Sequence, residues 1–547
     1  MNLEQPKDSR LGIVVSGSVT RGVEVKLDSS SLVEGMAVGR YVTIQGERQR
    51  FFGMITDVSL EVIDPRLAIT PPDVSDPFIA EVVAGTSTYG KLHVRPMLTI
   101  GSDAMSILEG PQPVKTVPAH FSAVELASQQ DVEQVFGQVS EGQFWIGTPL
   151  DMIETKVRLD LGELAKRSNG IFGKSGTGKT FLTRLLLMGI LQEGAAANLV
   201  FDMHSEYGWE GYSEGGRKVK ALKQLFPSKV AVFALDEENA RRRQVSADFI
   251  VKIGYDEIEP EDIVMLSETL NLTEAAAQAP YRLARHFGGQ WLESFLNVEG
   301  REEVGELAAS LGEHEATLAA LRRRLETLRR LPFLVAHAPD NSVKRILEYL
   351  DRGISVVLEF GRHTDIAAYI LVANLLTRRI HAQYRERTER AMGEDRALPR
   401  PLVITIEEAH KFLSPEIARQ TIFGTIAREM RKYNVTLLVI DQRPSGIDEE
   451  VMSQLGTKIT CLLDNERDID SVLTGVVGKS ELKAVLAKLD TKQQALIFGH
   501  AVPMPVVVRT REYGSAESYK DLGFREAAEL KRRAEQDIEE LWGDPAT

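Results

Sequence analysis

Eight consecutive residues, Gly173, Lys174, Ser175, Gly176, Thr177, Gly178, Lys179 and Thr180, fit the pattern GxxxxGK[ST] without a mismatch. No other feature constrains the fold as much, because this motif works only where a short strand passes through a loop into a helix. The flanks supply that setting: Asn169, Gly170, Ile171 and Phe172 precede the loop, and Phe181 opens an apolar helical run containing Leu182, Leu185 and Leu186. Glycines let backbone N–H groups turn inward around phosphate oxygens, Lys179 supplies a point charge to the outer phosphates, and the Thr180 hydroxyl is a ligand for Mg²⁺. The segment from Gly173 to Phe181 is therefore the expected nucleotide-binding element, and a nucleoside triphosphate is the expected ligand. A glycine-rich turn matching by chance would lack the strand and the helix.

Hydrolysis needs a carboxylate at the end of a second strand. Residues 401–406 form a mostly apolar, β-prone run that leads directly into Glu407 and Glu408. A run too short for a helix and apolar on both faces is the pattern of a central parallel strand. Glu407 is placed where a carboxylate supports Mg²⁺, and Glu408 where a general base aligns the attacking water. The alternative, two exposed glutamates opening the next helix, is chemically reasonable because carboxylates favour helix N-termini.

A third strand, residues 435–440, ends in Asp441, Gln442, Arg443 and Pro444. Ligands of open α/β sheets sit at the carboxyl ends of strands, so Gln442 is a candidate to donate to the γ-phosphate or orient the water. A fourth strand, residues 197–201, runs into Asp202, Met203, His204, Ser205, Glu206, Tyr207 and Gly208. Asp202, His204 and Glu206 have the composition of a metal site, but one histidine between two carboxylates on an irregular segment fixes no coordination geometry. The segment is expected instead to support the phosphate loop or to couple nucleotide state to a neighbouring surface. Metal is expected only as Mg²⁺ accompanying ATP, on Thr180 and Glu407.

With 547 residues, 43% of them hydrophobic, the chain can build more than one core. It has no uninterrupted apolar run of about 18 residues, and its first residues lack the charged-then-apolar pattern of a signal peptide. A single cysteine, Cys461, excludes an internal disulfide and a cysteine-rich zinc site. A cytoplasmic protein without a membrane partner is the expectation. The net charge of −14 argues against a protein that simply coats DNA. A ring escapes that objection, since only its channel need be basic. Residues 215–220, Gly-Gly-Arg-Lys-Val-Lys, are a candidate lining, although a solvated loop is the commoner explanation.

Residues 1–150 read as a small N-terminal β-barrel: short strands at 23–27, 41–44 and 51–58 are separated by Gly35, Gly39 and Gly46. An α/β core of RecA type follows in two parts, 151–253 and 336–512, interrupted by a charged helical insertion at 254–335. In that insertion Leu311, Leu318, Leu321, Leu325, Leu328 and Leu331 recur at helical spacing, with Arg322, Arg323, Arg324, Arg329 and Arg330 mostly on the opposite face. Residues 513–547 read as a C-terminal brace, with a helix from Phe524 to Trp542 whose single apolar stripe must find a surface.

These segments, in this order and spacing, resemble the HerA family of hexameric, FtsK-related DNA translocases. The likeness rests on the loop at 173–180, the segment Asp202 to Tyr207, the run Ile406, Glu407, Glu408, Ala409, His410, and residues 427–435 leading to Asp441 and Pro444; it covers essentially the whole chain, including the β-rich N-terminal segment and a Pro-containing late strand at residues 495–505. Relatives more often carry Pro or Gly around the histidine where this chain has Met203, His204 and Ser205. The resemblance implies a P-loop ATPase that acts as a homohexameric ring with double-stranded DNA in its channel and nucleotide at subunit interfaces. An arginine supplied in trans would then stabilise the transition state. Arg428 and Arg431, on the helix before the Gln442 strand, and Arg167, before the phosphate loop, are the candidates. The resemblance also implies a partner on the barrel face. This is a NurA-like nuclease in DNA end processing or, in anti-phage defence, a nuclease or NADase effector for which the ring is a scaffold. A secretion or conjugation ATPase is a weaker third reading.

Overall fold

The computed structural model describes residues 10–28, 33–101, 110–137, 141–150, 152–212, 216, 218–362, 366–394, 397–418, 422–476 and 478–524. Contacts divide the chain into two compact units: Met1–Lys179 with Glu408–Thr510, and Thr180–Glu407 with Arg511–Thr547.

In the first unit, six antiparallel strands close into a barrel in the order Gly22–Leu27, Arg10–Ser18, Ala123–Leu126, Tyr41–Gln45, Gln49–Val62, Thr88–Gly101, the last pairing back onto the first. Alternation decides which side chains point inward: Val23, Val25 and Leu27 are buried while Glu24 and Lys26 are less so. They meet Val42, Ile44, Phe51, Ile55, Leu92, Val94 and Val124 in one core. Closure removes the exposed edges that short strands would otherwise present. The connection between the two longest strands carries the helices Arg66–Ile69 and Pro77–Thr86 and leaves Ile69 82% and Phe78 72% exposed.

The same unit holds three parallel strands, with Asn169–Phe172 between Val435–Asp441 and Thr457–Thr460. Antiparallel strands extend them: Gln494–Gly499, Val506–Thr510, Gln143–Pro149 and Val157–Asp160. Two details differ from the sequence reading. The late strand anticipated across residues 495–505 is a hairpin of two strands, because Gly499 adopts φ +120° and Pro503 and Pro505 cannot donate to a ladder. Strand Gln143–Pro149, counted with the barrel on sequence grounds, pairs with Val506–Thr510, a partner too distant in the chain for local pattern to reveal.

The second unit contains a five-stranded parallel sheet in the order Phe249–Ile250, Val230–Ala234, Ser355–Glu359, Ala197–Asp202, Leu402–Glu407. Its four longer strands are buried at every residue, as a parallel sheet covered on both faces requires. The charged segment after Gly254 is helical, but its leucine series does not lie on one helix. Helix Arg301–Leu311 stops at Gly312, which takes the left-handed conformation; Glu315–Leu325 and the short turn Leu328–Arg330 carry the rest. Leu318, Leu321, Leu325 and Leu328 are buried, whereas Arg323, Arg324, Arg329 and Arg330 face solvent. Trp291 anchors this helical cluster, its Nε1 donating to the Ile258 carbonyl at 2.9 Å.

An ion pair ties the insertion to the long helix Ile366–Gly393. Arg378 Nη2 donates to Asp262 Oδ2 at 2.9 Å, and Arg378 also bonds Glu259. Asp262 has no exposed side-chain surface; burial pushes its carboxyl up and the Arg378 charge pulls it back. Arg378→Leu therefore strands a buried acid and is expected to cost about 3 kcal/mol, read as a lower thermal unfolding midpoint.

No helix among the described residues is long and apolar enough to cross a membrane. Most of the anticipated terminal helix, residues 525–542, lies outside the described residues, as do residues 215 and 217 of the basic loop.

Candidate active site

The phosphate loop leaves a fully buried strand and enters the 15-residue helix Lys179–Glu193. Two glycines show why the motif needs them. A Cβ on Gly173 would lie 2.8 Å from Cys461 Cβ, and Gly178 adopts φ +90°, a conformation that costs other residues strain. Backbone bonds pin the loop at its start: Gly173 N donates to the Asp441 carbonyl at 3.3 Å and Lys174 N to the Leu462 carbonyl at 3.0 Å. Thr177 Oγ1 and Lys179 Nζ both donate to the Lys174 carbonyl at 2.8 Å, while Lys174 Nζ pairs with Asp464 at 2.9 Å. Ser175, Gly176 and Gly178 remain exposed. The helix start directs backbone N–H groups and a partial positive charge to the loop, an arrangement suited to an anion. Burial pushes the Cys461 thiol up to about 11, so it is an inert packing group beside the loop.

Also in the first unit, Glu408 follows directly from the strand ending at Glu407 and has φ +48°, uncommon for a residue with a side chain. Gln442 Nε2 donates to Glu408 Oε1 at 2.7 Å, bringing together two residues that the sequence placed on separate strand ends. Asp441 is an organiser that sequence reasoning passed over. Its carboxylate accepts from His410 N at 2.6 Å, from Arg443 N at 2.6 Å and from His410 Nδ1 at 2.9 Å. The hydrogen bond to Asp441 raises the His410 value above the ordinary imidazole range, against the opposing effect of burial.

The three arginines diverge. Arg167 is ion-paired with Glu163 and packs against Gly456. Arg428 faces Glu450 at 3.9 Å. Arg431, on the turn Met430–Tyr433, is exposed.

In the second unit, Thr180 begins the helix and Glu407 ends its strand, 7% exposed. Tyr207 Oη donates to Glu407 Oε1 at 2.6 Å, a contact across 200 residues of chain that local pattern could not show. Tyr207 is delivered there by Asp202, whose buried carboxylate accepts the N–H groups of Glu206, Tyr207 and Gly208 at 2.8, 2.8 and 3.2 Å. Asp202 thus caps its own loop, whereas His204 points to solvent, so the metal reading has no geometry behind it. Among the described residues no cluster of three His, Cys, Asp or Glu side chains could hold a metal ion. Next to Asp202, the Glu359 carboxyl is pushed up to about 7, chiefly by burial and then by the Asp202 charge, with Arg243 opposing. Phe181 packs against Tyr513 at 6.2 Å between ring centres, with the Arg184 guanidinium 5.5 Å from its ring. Of the basic loop, Lys218 pairs with Glu210, and Lys220 is held through its backbone by the hydroxyls of Tyr513 and Tyr519.

Residues 144–380 match the protein family described as "Helicase HerA, central domain". The chain is 25% identical over 399 residues to the DNA double-strand break repair helicase HerA of Pyrococcus furiosus, covering 66% of this chain and 68% of that protein. It is 23% identical over 542 residues to the enzyme of the same name from Sulfurisphaera tokodaii, covering 98% and 100%. Among solved structures, VirB4 of Thermoanaerobacter pseudethanolicus superposes with a TM-score of 0.44 at 14% identity, over 70% of this chain and 99% of that one. The phosphate loop on its strand and helix, the barrel that precedes it, and relatives aligned over as much as 98% of the chain support one conclusion: this is a P-loop ATPase whose residues 144–380 match the HerA helicase central domain.

Proposed function

We propose that this ATPase is a homohexameric motor that moves along double-stranded DNA and works with a partner nuclease in DNA end processing. The observation that carries the motor reading is the Glu408–Gln442 contact at 2.7 Å, on strand ends that follow the phosphate-loop strand in the order a hydrolytic site requires. The names of the relatives, DNA double-strand break repair helicases, support DNA as the track.

Each residue has a defined task in this reading. Lys179 and the N–H groups of the loop bind the phosphates of ATP, and Glu408 takes a proton from the attacking water while Gln442 holds its carboxylate. Thr180 and Glu407 offer a hydroxyl and a carboxylate, hard oxygen donors that fit Mg²⁺, and Tyr207 orients the carboxylate. When bound, Mg²⁺ neutralises charge on the phosphates. Arg431, the exposed arginine of the three, is proposed to reach a neighbouring subunit's nucleotide. In rings mixing Arg431→Ala with Lys179→Ala subunits, activity that neither parent has is expected to return. A cis or structural arginine would give no such recovery.

The nuclease or another effector is proposed to dock on the barrel, where Ile69, Val74 and Phe78 are each exposed on the connection between the two longest strands. Those residues also keep open the scaffold reading, in which ATP binding regulates an anti-phage effector. ATPase rate with and without linear duplex DNA, measured beside native mass, separates the two. Stimulation of a hexamer by duplex DNA is the expected result; a ring indifferent to DNA would favour the scaffold.

A further inference from the structure

Glu408 has a hydrogen bond at one carboxylate oxygen and an ionisable ring near the other. Gln442 donates to Oε1 at 2.7 Å, and His410 Nδ1 lies 3.9 Å from Oε2, a distance at which a protonated ring acts through its charge and not through a hydrogen bond. The histidine is itself fixed: Asp441, with no exposed side-chain surface, accepts from both the backbone N and Nδ1 of His410. A carboxylate only accepts, so Nδ1 carries the hydrogen and Nε2 is the nitrogen that gains or loses a proton. The same carboxylate also binds Arg443 N, one residue beyond Gln442. The turn from Glu408 to His410 is closed by two further backbone bonds, Ala409 N to the Ile440 carbonyl at 3.3 Å and Lys411 N to the Glu408 carbonyl at 2.9 Å. Asp441 therefore joins the left-handed backbone of Glu408 to the loop that presents Gln442.

We propose that the Asp441–His410 pair is a positioning device for Glu408, with the protonated imidazole holding the carboxylate in the orientation in which it meets water. The inference rests on the reading of Glu408 as general base. Charged groups facing the imidazole are Asp441 and Glu408, which favour its protonated form, and Lys411, which opposes it. Since the His410 value is raised, the imidazolium persists above the usual histidine range and is lost as pH rises through the raised value. Turnover by the intact protein is therefore expected to fall along an alkaline limb that reports this proton.

The test compares kcat, KM for ATP and their pH dependence in the full chain and three variants. His410→Ala is expected to lower kcat on the order of tenfold with KM within about twofold of the parent, because orientation and not ATP binding is lost. His410→Asn keeps a donor for Asp441 but carries no charge at any pH; it is expected to keep ATP binding, to stay near the low rate that the parent reaches at alkaline pH, and to lack the alkaline limb. Glu408→Gln is the control for the underlying reading, since normal hydrolysis by that variant removes Glu408 as base whatever His410 does. If Glu408→Gln is inactive while His410→Ala and His410→Asn keep the parental rate and alkaline limb, the positioning inference is overturned. A parallel loss of kcat and ATP binding in His410→Asn would also overturn it, as the mark of a purely structural histidine.

Discussion

Lys179→Ala is expected to weaken ATP binding by about 100-fold or more while leaving the fold intact. The ammonium is the one side-chain charge that the motif aims at the outer phosphates, and loss of a charge-assisted contact of about 3 kcal/mol is two decades of affinity. Stability moves little, for a reason specific to the position. Lys179 is the first residue of its helix, where a cation opposes the macrodipole, so its removal offsets the lost bond to the Lys174 carbonyl. A fluorescent ATP titration beside a thermal melt measures both quantities. Parental affinity in a folded variant would show that the loop does not bind ATP through Lys179.

Glu408→Gln is expected to do the converse: ATP stays bound and turnover falls by about 10²–10⁴. Glutamine has nearly the shape of glutamate, and its amide oxygen still accepts from Gln442 Nε2, so the contact at 2.7 Å survives. What disappears is the capacity to take a proton. The backbone at Glu408, with φ +48°, has to be left-handed in parent and variant alike, so the substitution adds no strain of its own. Single-turnover hydrolysis with bound nucleotide quantified separately distinguishes the outcomes. Hydrolysis at the parental rate would assign the proton to another group.

The two variants address different links in the chain of cause. In the proposed reading Lys179 acts in the ground state, on the charge of the ligand, while Glu408 acts only as bonds to phosphorus change. A motor reading requires both, and the DNA-stimulated rate then connects the site to its track.

Local pattern made several elements legible. Residues 169–172, 197–201, 401–406 and 435–440 were readable as buried strands because a strand covered on both faces is mostly apolar, and in the structure residues 169–172, 197–201, 402–406 and 435–440 are strand and buried throughout. The phosphate loop is equally local, since eight adjacent residues carry its backbone geometry. The barrel was readable from alternation and the insertion from its helical composition, although Gly312 divides what spacing alone had joined. The late strand that the likeness implied at 495–505 differs in its bounds: it ends at Gly499, and the chain returns as Val506–Thr510 after Pro503 and Pro505.

Sequence by itself determined the class of this protein, an α/β P-loop ATPase with a barrel ahead of it, because class depends on periodicity and on motifs written in contiguous residues. Tertiary structure alone decided the partners of the functional groups: Tyr207 with Glu407, Asp441 with His410, Gln442 with Glu408, and Asp262 with Arg378. Each of these contacts joins residues that lie 31 or more positions apart, and 200 in one case, except where a buried carboxylate caps its own loop, as Asp202 does. Burial makes such pairings obligatory, because a carboxylate or hydroxyl removed from water must find a donor or acceptor. Which one it finds is settled by how the chain returns through space, and no local pattern encodes that.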